Sequence, residues 1–498
     1  MISRASDPLP PVPLRQRLLA AAFEMARPVA RRLLPLEVKR RLLSLMFPFV
    51  DEGLEHVIAQ RFRARKLPLA GVPPLLPSSA FEEGPVLLAN NALTWGGVER
   101  QVVNTLTGLN GALERPVGLL CLRLGETEEF DFFKSALADL SGPVRNARDL
   151  SWARRTVHHL GGPAAARRLA GSVSWMPKDV RDEVERFAAE FLELRPRVVH
   201  AWQDSVGIVA GFAARIVGVP RIIVAGRNVS PPNFQYGRPH MSFAYRELAS
   251  CADLSLINNS QAGADDYAAW LGVPEARFRV LRNGIDFRGF VRAPASETEK
   301  RKHELGIPSD APVVGSIFRF YPEKRPVLFI EAACEIASRR ADVHVVLYGT
   351  GPLQAQMDAK IREAGLQGRI HLPGTIADAA AGLSLFDVFL LTSKFEGTPN
   401  VVLEAAALGV PAVATPAGGT AEAIDQGRTG LVVDEPRSGR LADAVLEVLA
   451  NPELRSACRE LGPRFVTQRF GLQRMIEETI ALYGLDRRPG PGASGSPA

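Results

Sequence analysis

Cysteine and histidine are scarce in this chain of 498 residues, which has 4 cysteines and 8 histidines. The cysteines are widely spaced and form no C-x-x-C pair. This excludes a disulfide framework or a cysteine-rich zinc site and is typical of reduced, buried thiols in a cytosolic protein. The histidines form no H-x-x-x-H or H-E-x-x-H pattern. We therefore expect no metal site.

Long apolar runs are also missing. No stretch approaches the ~18 uninterrupted apolar residues of a spanning helix. The longest candidate, residues 206–226, is broken by Arg215, Pro220 and Arg221 and predicts a helix followed by a strand. Glu24 interrupts the apolar part of the N-terminus, which disfavours a cleaved signal peptide. These absences predict a cytoplasmic protein.

Three common catalytic motifs are absent. The chain has no P-loop G-x-x-x-x-G-K, no G-x-S-x-G and no D-x-D. Their absence disfavours P-loop phosphoryl transfer, hydrolase-elbow chemistry and metal-bridged binding of a nucleotide sugar.

Basic charge is concentrated at the N-terminus. The chain has a net charge of +6, and residues 1–47 hold nine basic and three acidic residues, an excess equal to that of the whole chain. Arginines alternate there with leucine and phenylalanine at roughly helical spacing. Two interpretations stay open: an amphipathic arm on the inner face of an anionic membrane, or a helical extension packed on the protein body. The arm lacks the interleaved aromatic residues and the known module of a nucleic-acid-binding segment, so we expect no nucleic acid as a partner.

The rest of the chain alternates short apolar runs with helical segments, which predicts an α/β fold with doubly wound parallel sheets. A polar stretch at 293–311 separates two such units. We predict a basic helical extension (1–80), an N-terminal Rossmann-like domain (81–295), a C-terminal Rossmann-like domain (296–485) and a disordered tail (486–498). The two sheet domains are expected to face each other across a cleft.

The stretch EGTPNVVLEAAALG predicts a ligand-binding helix N-terminus. Thr398 suits the N-cap and Pro399 the first helical position, which would leave the amides of Asn400 and Val401 free for phosphate oxygens. Glu404 shares a helix face with Asn400, one turn deeper. It would accept hydrogen bonds from a ribose diol, or else form an ion pair with a neighbouring arginine.

Two cations precede this stretch. Arg319 follows a predicted strand and Lys324 lies five residues on, a spacing that can grip a diphosphate. Gly97 follows the first strand, where bare backbone can approach a phosphate or a sugar. Together these features favour a nucleoside diphosphate as the ligand.

These residues carry a resemblance to a known family. Arg319 and Lys324, EGTPNVVLEAAALGVPAVAT (396–415), GGVER (96–100) and NGID (283–286) together resemble the family 4 retaining glycosyltransferases of GT-B fold, over roughly residues 85–485. The resemblance implies that the C-terminal domain holds a UDP- or GDP-linked sugar and the N-terminal domain holds the acceptor. It implies donor contacts from Gly97, Arg319, Lys324, Glu396, Gly397, Thr398, Asn400, Val401 and Glu404.

The resemblance also implies a mechanism. Glu396 would contact the hydroxyls of the donor sugar and Glu404 the ribose, while Arg319 and Lys324 neutralise the leaving diphosphate without a metal or other cofactor. The anomeric configuration would be retained, with the leaving phosphate deprotonating the acceptor hydroxyl on the same face.

Two positions depart from the family pattern. Many relatives have a histidine, directed at the donor sugar, where this chain has Arg227, which could hydrogen-bond a sugar or phosphate but is a poor general base. His200 ends a strand where relatives often show a histidine pair, and Trp202 holds the second position. His200 is either structural or catalytic, and Trp202 either stacks on an acceptor or packs in the core.

The predicted function is a retaining hexosyltransferase that moves a sugar to a glycan, a lipid-linked acceptor or a polysaccharide precursor. The catalytic candidates are Glu396, Arg319, Lys324 and Arg227. A GT-B-like nucleotide-sugar epimerase and a non-catalytic scaffold that binds sugar nucleotides are the alternatives.

Overall fold

The structure is a computed structural model that describes Glu55, residues 57–65 and residues 67–488. The basic arm of residues 1–47 and residues 489–498 of the predicted tail lie outside the described residues. Residues 57–63 are helical, and Ile58, Leu69 and Val72 are buried in the core of the first domain. The described end of the N-terminal extension therefore packs on that domain.

The first sheet has seven parallel strands in the order β3-β2-β1-β4-β5-β6-β7. Val86 of β1 lies opposite Val117 on one side and Val198 on the other. The central strands are buried throughout because helices cover both faces of a parallel sheet. The strands are β1 (Val86–Asn90), β2 (Val117–Cys121), β3 (Val144–Asn146), β4 (Val198–Trp202), β5 (Arg221–Gly226), β6 (Leu254–Asn258) and β7 (Phe278–Val280).

Six α-helices lie between β1 and β7 in the described chain. They are α1 (Gly97–Ala112), α2 (Leu150–Ser172), α3 (Lys178–Leu194), α4 (Asp204–Val217), α5 (Pro239–Ser250) and α6 (Gln261–Leu271). The stretch between α1 and α2 also contains the edge strand β3, whose three residues are too few to give an apolar run in the sequence.

The second sheet has six parallel strands in the order β10-β9-β8-β11-β12-β13. The strands are β8 (Val313–Ile317), β9 (His344–Tyr348), β10 (Ile370–His371), β11 (Val388–Leu391), β12 (Ala412–Ala414) and β13 (Gly430–Val432). The helices are α7 (Ala295–Glu304), α8 (Pro326–Arg339), α9 (Gln354–Glu363), α10 (Ala379–Ser384), α11 (Asn400–Ala407), α12 (Ser438–Ala450), α13 (Pro452–Phe470) and α14 (Leu472–Tyr483). The prediction of two doubly wound parallel-sheet domains is confirmed.

The last helix returns to the first domain. Sequence analysis assigned residues 472–483 to the C-terminal domain, but Met475, Ile476 and Ile480 of α14 are buried in one face of the first sheet's core. Helix α14 packs on α1, where the side chain of Ile476 leaves no room for a Cβ at Gly108. The assignment is wrong for α14, because its apolar stripe pairs with a helix more than 350 residues earlier in the chain.

In the described part of the chain, no helix is long and apolar enough to cross a membrane.

Candidate functional site

The site lies between the two sheets, at the points where the order of the strands changes direction in each sheet. In the first sheet the direction of the strand order reverses between β1 and β4, and in the second between β8 and β11. Ligands of doubly wound sheets bind at the carboxyl ends of strands at such reversals. A cavity of about 340 Å³ occupies this position and is lined by both domains. The first domain contributes Trp95, Gly96, Gly97, Val98, Arg100, Gln101, Arg227, Asn228, Asn259 and Asn283. The second domain contributes Ile317, Phe318, Arg319, Lys324, Tyr348, Gly349, Thr350, Thr375, Ile376, Leu391, Glu396, Gly397, Thr398, Pro399, Asn400 and Val401.

The first-domain wall begins at the Gly96-Gly97 turn after β1. A Cβ on Gly97 would lie 3.4 Å from Nδ2 of Asn400, an ordinary contact distance, so this turn lies beside the start of helix α11. Beneath the turn, the Glu99 carboxylate accepts a hydrogen bond of 2.9 Å from Gln203. Burial raises the pKa of Glu99, and hydrogen bonds from its own backbone N–H and from Gln203 oppose that rise.

Gln203 holds an unusual backbone conformation at the end of β4. Its φ is 65° and its ψ 159°, a region that residues other than glycine rarely adopt. The conformation aims the Gln203 amide at Glu99 and so ties the end of β4 to the start of α1.

The two predicted cations differ in their environment. Arg319, after β8, is exposed and lies 5.4 Å over the ring of Tyr321. Lys324 forms an ion pair with Glu396, and the Ser393 hydroxyl donates to the same carboxylate oxygen at 2.7 Å. Lys324 is therefore held in place by Glu396, while the Arg319 guanidinium faces the cavity with no carboxylate of the described residues paired to it.

The loop that carries Glu396 is clamped by backbone contacts. A Cβ on Gly397 would lie 2.3 Å from the carbonyl oxygen of Arg227 and 2.5 Å from the amide oxygen of Asn259. Gly418 lies on the other side of the loop, where its own Cβ would meet the Glu396 carbonyl oxygen at 1.9 Å. A side chain would clash at both positions. Gly397 therefore allows the first domain to lie close to Glu396, and Gly418 allows the backbone of the same loop to pack from the other side.

Helix α11 presents its N-terminus to the cavity, with a different cap from the one predicted. Pro399, not Thr398, is the N-cap residue, and no side chain of the described residues caps the helix. The Thr398 hydroxyl instead donates to the carbonyl oxygen of Asn259 at 2.8 Å, a contact with the first domain. Asn400 and Val401, at the first two helical positions, line the cavity, and amides at these positions have no intrahelical acceptor.

Glu404 is paired with an arginine of the opposite domain. Its side chain is 3% exposed and accepts a hydrogen bond from Nη1 of Arg100, whose side chain is 40% exposed. Arg100 lines the cavity and Glu404 does not. The ion pair that sequence analysis weighed as the alternative for Glu404 is thus present, and it joins helix α1 to helix α11 across the cleft.

Arg227 follows β5 and is the one arginine of the described residues in the buried class. Its Nη2 donates to Oδ1 of Asn283 at 2.5 Å, and its Cζ lies 4.3 Å from the ring centroid of Trp202. Asn283 in turn donates to Oδ1 of Asn400 at 2.7 Å. Burial lowers the pKa of Arg227 to about 9, so the guanidinium stays charged at neutral pH.

His200 and Trp202 both belong to the core. His200 is fully buried, and its Nδ1 shares a hydrogen bond of 2.8 Å with the hydroxyl of Tyr483 from α14. Burial, with the nearby charge of Arg227, lowers the pKa of His200 to about 3, so it stays neutral. Trp202 is 1% exposed, and neither residue lines the cavity. These contacts favour the structural interpretation of His200 and the packing interpretation of Trp202.

The structure brings together nearly all of the residues predicted from sequence. Of these, Glu404 alone lies outside the cavity wall. Sequence reasoning assigned no role to Arg100, Asn259 or Asn283, although GGVER and NGID contain the first and the last of them; all three line the first-domain wall of the cavity. Its position could have indicated Arg100, because it lies about one turn after Gly97 on helix α1, which begins at that glycine.

Sequence comparison finds a family match within the second domain. Residues 297–465 match the family model described as glycosyl transferases group 1. That segment contains Arg319, Lys324, Glu396 and Glu404 and the whole of the second sheet.

Among characterised proteins, the chain is similar to the Vi polysaccharide biosynthesis protein VipC/TviE of Salmonella typhi, with 28% identity over 365 residues. That match covers 70% of this chain and 62% of the relative. It is also 27% identical, over 227 residues, to the UDP-Gal:alpha-D-GlcNAc-diphosphoundecaprenol alpha-1,3-galactosyltransferase of Escherichia coli, which covers 45% of this chain and 58% of that enzyme. The chain thus spans about three fifths of the length of these relatives.

Comparison of structures identifies the fold as GT-B. The crystal structure of Anabaena Alr3699/HepE in complex with UDP and glucose superimposes with a TM-score of 0.63 and 19% sequence identity. The match covers 80% of this chain and 99% of that protein. The two-domain architecture predicted from sequence is therefore that of GT-B glycosyltransferases.

Proposed function

We propose that this protein is a retaining glycosyltransferase of the family 4 type that takes its sugar from a UDP-linked donor. One observation carries the proposal: a cavity between two GT-B domains holds an exposed arginine, a lysine–glutamate pair and an uncapped helix N-terminus, all from the second domain. Each of these groups suits one part of a nucleotide sugar.

The diphosphate would lie against Arg319, Lys324 and the N-terminus of α11. Arginine can bind phosphate in a fork, lysine as a point charge, and the first amides of a helix donate to anions. These donors supply positive charge where the leaving group develops negative charge, which is the role that a metal ion plays in other transferases. We propose that no metal is needed, and UDP is favoured because the E. coli relative is named for UDP-Gal and the Anabaena protein binds UDP.

The sugar would lie against Glu396 and Gly397, on the first-domain side of the diphosphate. Lys324 and Ser393 fix the Glu396 carboxylate, so its free oxygen can accept from sugar hydroxyls. The bond from C1 to the diphosphate oxygen breaks, the acceptor oxygen bonds to C1 on the same face, and the acceptor proton passes to the leaving phosphate. The chain's part is positioning and electrostatic stabilisation.

The acceptor would be a glycan, a lipid-linked saccharide or a polysaccharide precursor. This is supported by the names of the relatives, one for Vi polysaccharide biosynthesis and one for transfer to a diphosphoundecaprenol-linked sugar. The basic arm of residues 1–47 would hold the protein on the inner face of an anionic membrane, a proposal that depends on its charge alone.

The epimerase alternative is less well supported by the cavity. Epimerisation needs acid and base groups beside the sugar. Among the described residues that line the cavity, Glu396 is the single carboxylate and there is no histidine. A silent scaffold would have no need of the Lys324–Glu396–Ser393 arrangement.

The proposal is tested by thermal denaturation of the full chain with UDP, GDP or ADP, each with and without EDTA. A ligand that binds only the native state stabilises it by about 2.7 kcal/mol at a hundredfold excess over Kd. We expect UDP to raise Tm, GDP and ADP to raise it less, and EDTA to change none of these shifts. A chain that no nucleotide stabilises would overturn the donor-site assignment, and a shift that EDTA abolishes would overturn metal independence.

A further inference from the structure

None of the described residues neutralises the charge of Arg227. It is 8% exposed, and its one hydrogen-bond partner among the described residues is the neutral amide of Asn283. Burying a charge without an opposite charge is costly, and buried arginines are ordinarily paired with carboxylates. Arg227 lines the cavity. A buried guanidinium that lines a cavity and has no carboxylate partner among the described residues suits an anionic ligand group.

The surroundings of Arg227 fix its orientation. Trp202 lies against the guanidinium at 4.3 Å, and Asn283 accepts from Nη2 while also accepting from Asn259 at 3.3 Å. Asn283 then donates to Asn400 of the second domain. The guanidinium is therefore held by stacking on one face and by one neutral acceptor, and no carboxylate of the described residues balances its charge.

The position of Arg227 points to the sugar and not to the diphosphate. Its backbone carbonyl packs on Gly397, next to Glu396, where the sugar lies in the proposed donor complex. The cations assigned to the diphosphate, Arg319 and Lys324, come from the opposite domain, after β8. A neutral hexose would leave the Arg227 charge buried and unpaired, whereas a sugar with a carboxylate would neutralise it.

We propose that Arg227 pairs with the carboxylate of the donor sugar, so that the substrates of this enzyme are UDP-linked uronic acids. The inference builds on the proposed function, since it assumes that a nucleotide sugar occupies the cavity. A carboxylate presents two oxygens that match the planar guanidinium fork, which the point charge of a lysine does not reproduce.

The test measures the binding of UDP, UDP-galactose, UDP-glucose, UDP-galacturonic acid and UDP-glucuronic acid by calorimetry, to the full wild-type chain and to Arg227→Gln. Wild type is expected to bind at least one uronic-acid donor about 10- to 100-fold more tightly than its neutral counterpart, since hydrogen bonds to charged groups contribute about 1.5–3 kcal/mol each. Arg227→Gln should lose that preference and keep its affinity for UDP within about threefold, because it removes no proposed diphosphate contact.

Three other outcomes are informative. Equal losses for UDP and for the uronic-acid donors would place Arg227 on the diphosphate and overturn the inference. A wild type that binds UDP but does not prefer any uronic-acid donor would overturn it as well, while leaving the proposed function intact. A wild type that binds none of the five ligands would instead contradict the proposed function. Arg227→Lys controls for folding: it keeps the charge and should show an intermediate preference with an unchanged Tm.

Discussion

Lys324→Ala is expected to lower the rate of sugar transfer about 100- to 1,000-fold, the loss typical when one preorganised electrostatic group is removed from a transition state. Lys324 both neutralises Glu396 and faces the leaving diphosphate in the proposed complex. Its removal would place the Glu396 carboxylate, uncompensated, beside a second developing negative charge. The measurement is kcat for release of UDP from the preferred donor at saturating acceptor.

Lys394 offers a matched control. It lies on the same loop as Glu396, its Nζ is 4.8 Å from the ring centroid of Phe395, and it does not line the cavity. Lys394→Ala should therefore change kcat by less than about twofold, as surface charges away from a site usually do. If Lys324→Ala retained a rate within threefold of wild type at an unchanged Tm, the assignment of Lys324 to the leaving group would be wrong.

The 2′,3′-dideoxy analogue of UDP should bind wild type about 10- to 100-fold more weakly than UDP does, because Glu404 would lose hydrogen bonds that contribute about 1.5–3 kcal/mol each. This follows if the ribose diol takes the place of Arg100 on the Glu404 carboxylate when the donor binds. Glu404→Ala should bind both nucleotides equally. The measurement is the ratio of the two Kd values by calorimetry.

Another ion pair, between Arg282 and Glu422, serves as the control. Arg282 and Glu422 lie 3.1 Å apart, and Glu422 also accepts from the amide of Ala262 in the first domain, away from the cavity. Glu422→Ala should leave the ratio for UDP and its dideoxy analogue as in wild type. A wild type that binds the two nucleotides with equal affinity would show that Glu404 only bridges the domains through Arg100.

Local patterns were sufficient to predict the fold. Strands such as β1 and β4 are continuous apolar runs, because both faces of a parallel sheet are covered, and their alternation with helices leaves one class of architecture. The helix α14 was assigned to the wrong domain, because its partner α1 is far away in the sequence and no local signal records that contact.

The same division applies to the site. The loop of Glu396 and Gly397 and the cation Arg319 follow strands, so the topology alone places them at one edge of the second sheet. Contacts between the domains were not predictable. Thr398 donates to the carbonyl oxygen of Asn259 and does not cap the helix, and Arg100 forms an ion pair with Glu404, 304 positions away. Capping preferences are local energies of about 1 kcal/mol, which a tertiary contact readily outweighs.

The most direct test of the central claim is the release of UDP from UDP-linked sugars by the full chain, followed over hours with wild type and Lys324→Ala in parallel. The panel should contain glucose, galactose and their uronic acids, each with and without EDTA. The structure predicts that wild type releases UDP from at least one donor, in the presence of EDTA, and that Lys324→Ala does not. Release by wild type that never exceeds that of Lys324→Ala, for any donor, would contradict the assignment of this cavity to glycosyl transfer.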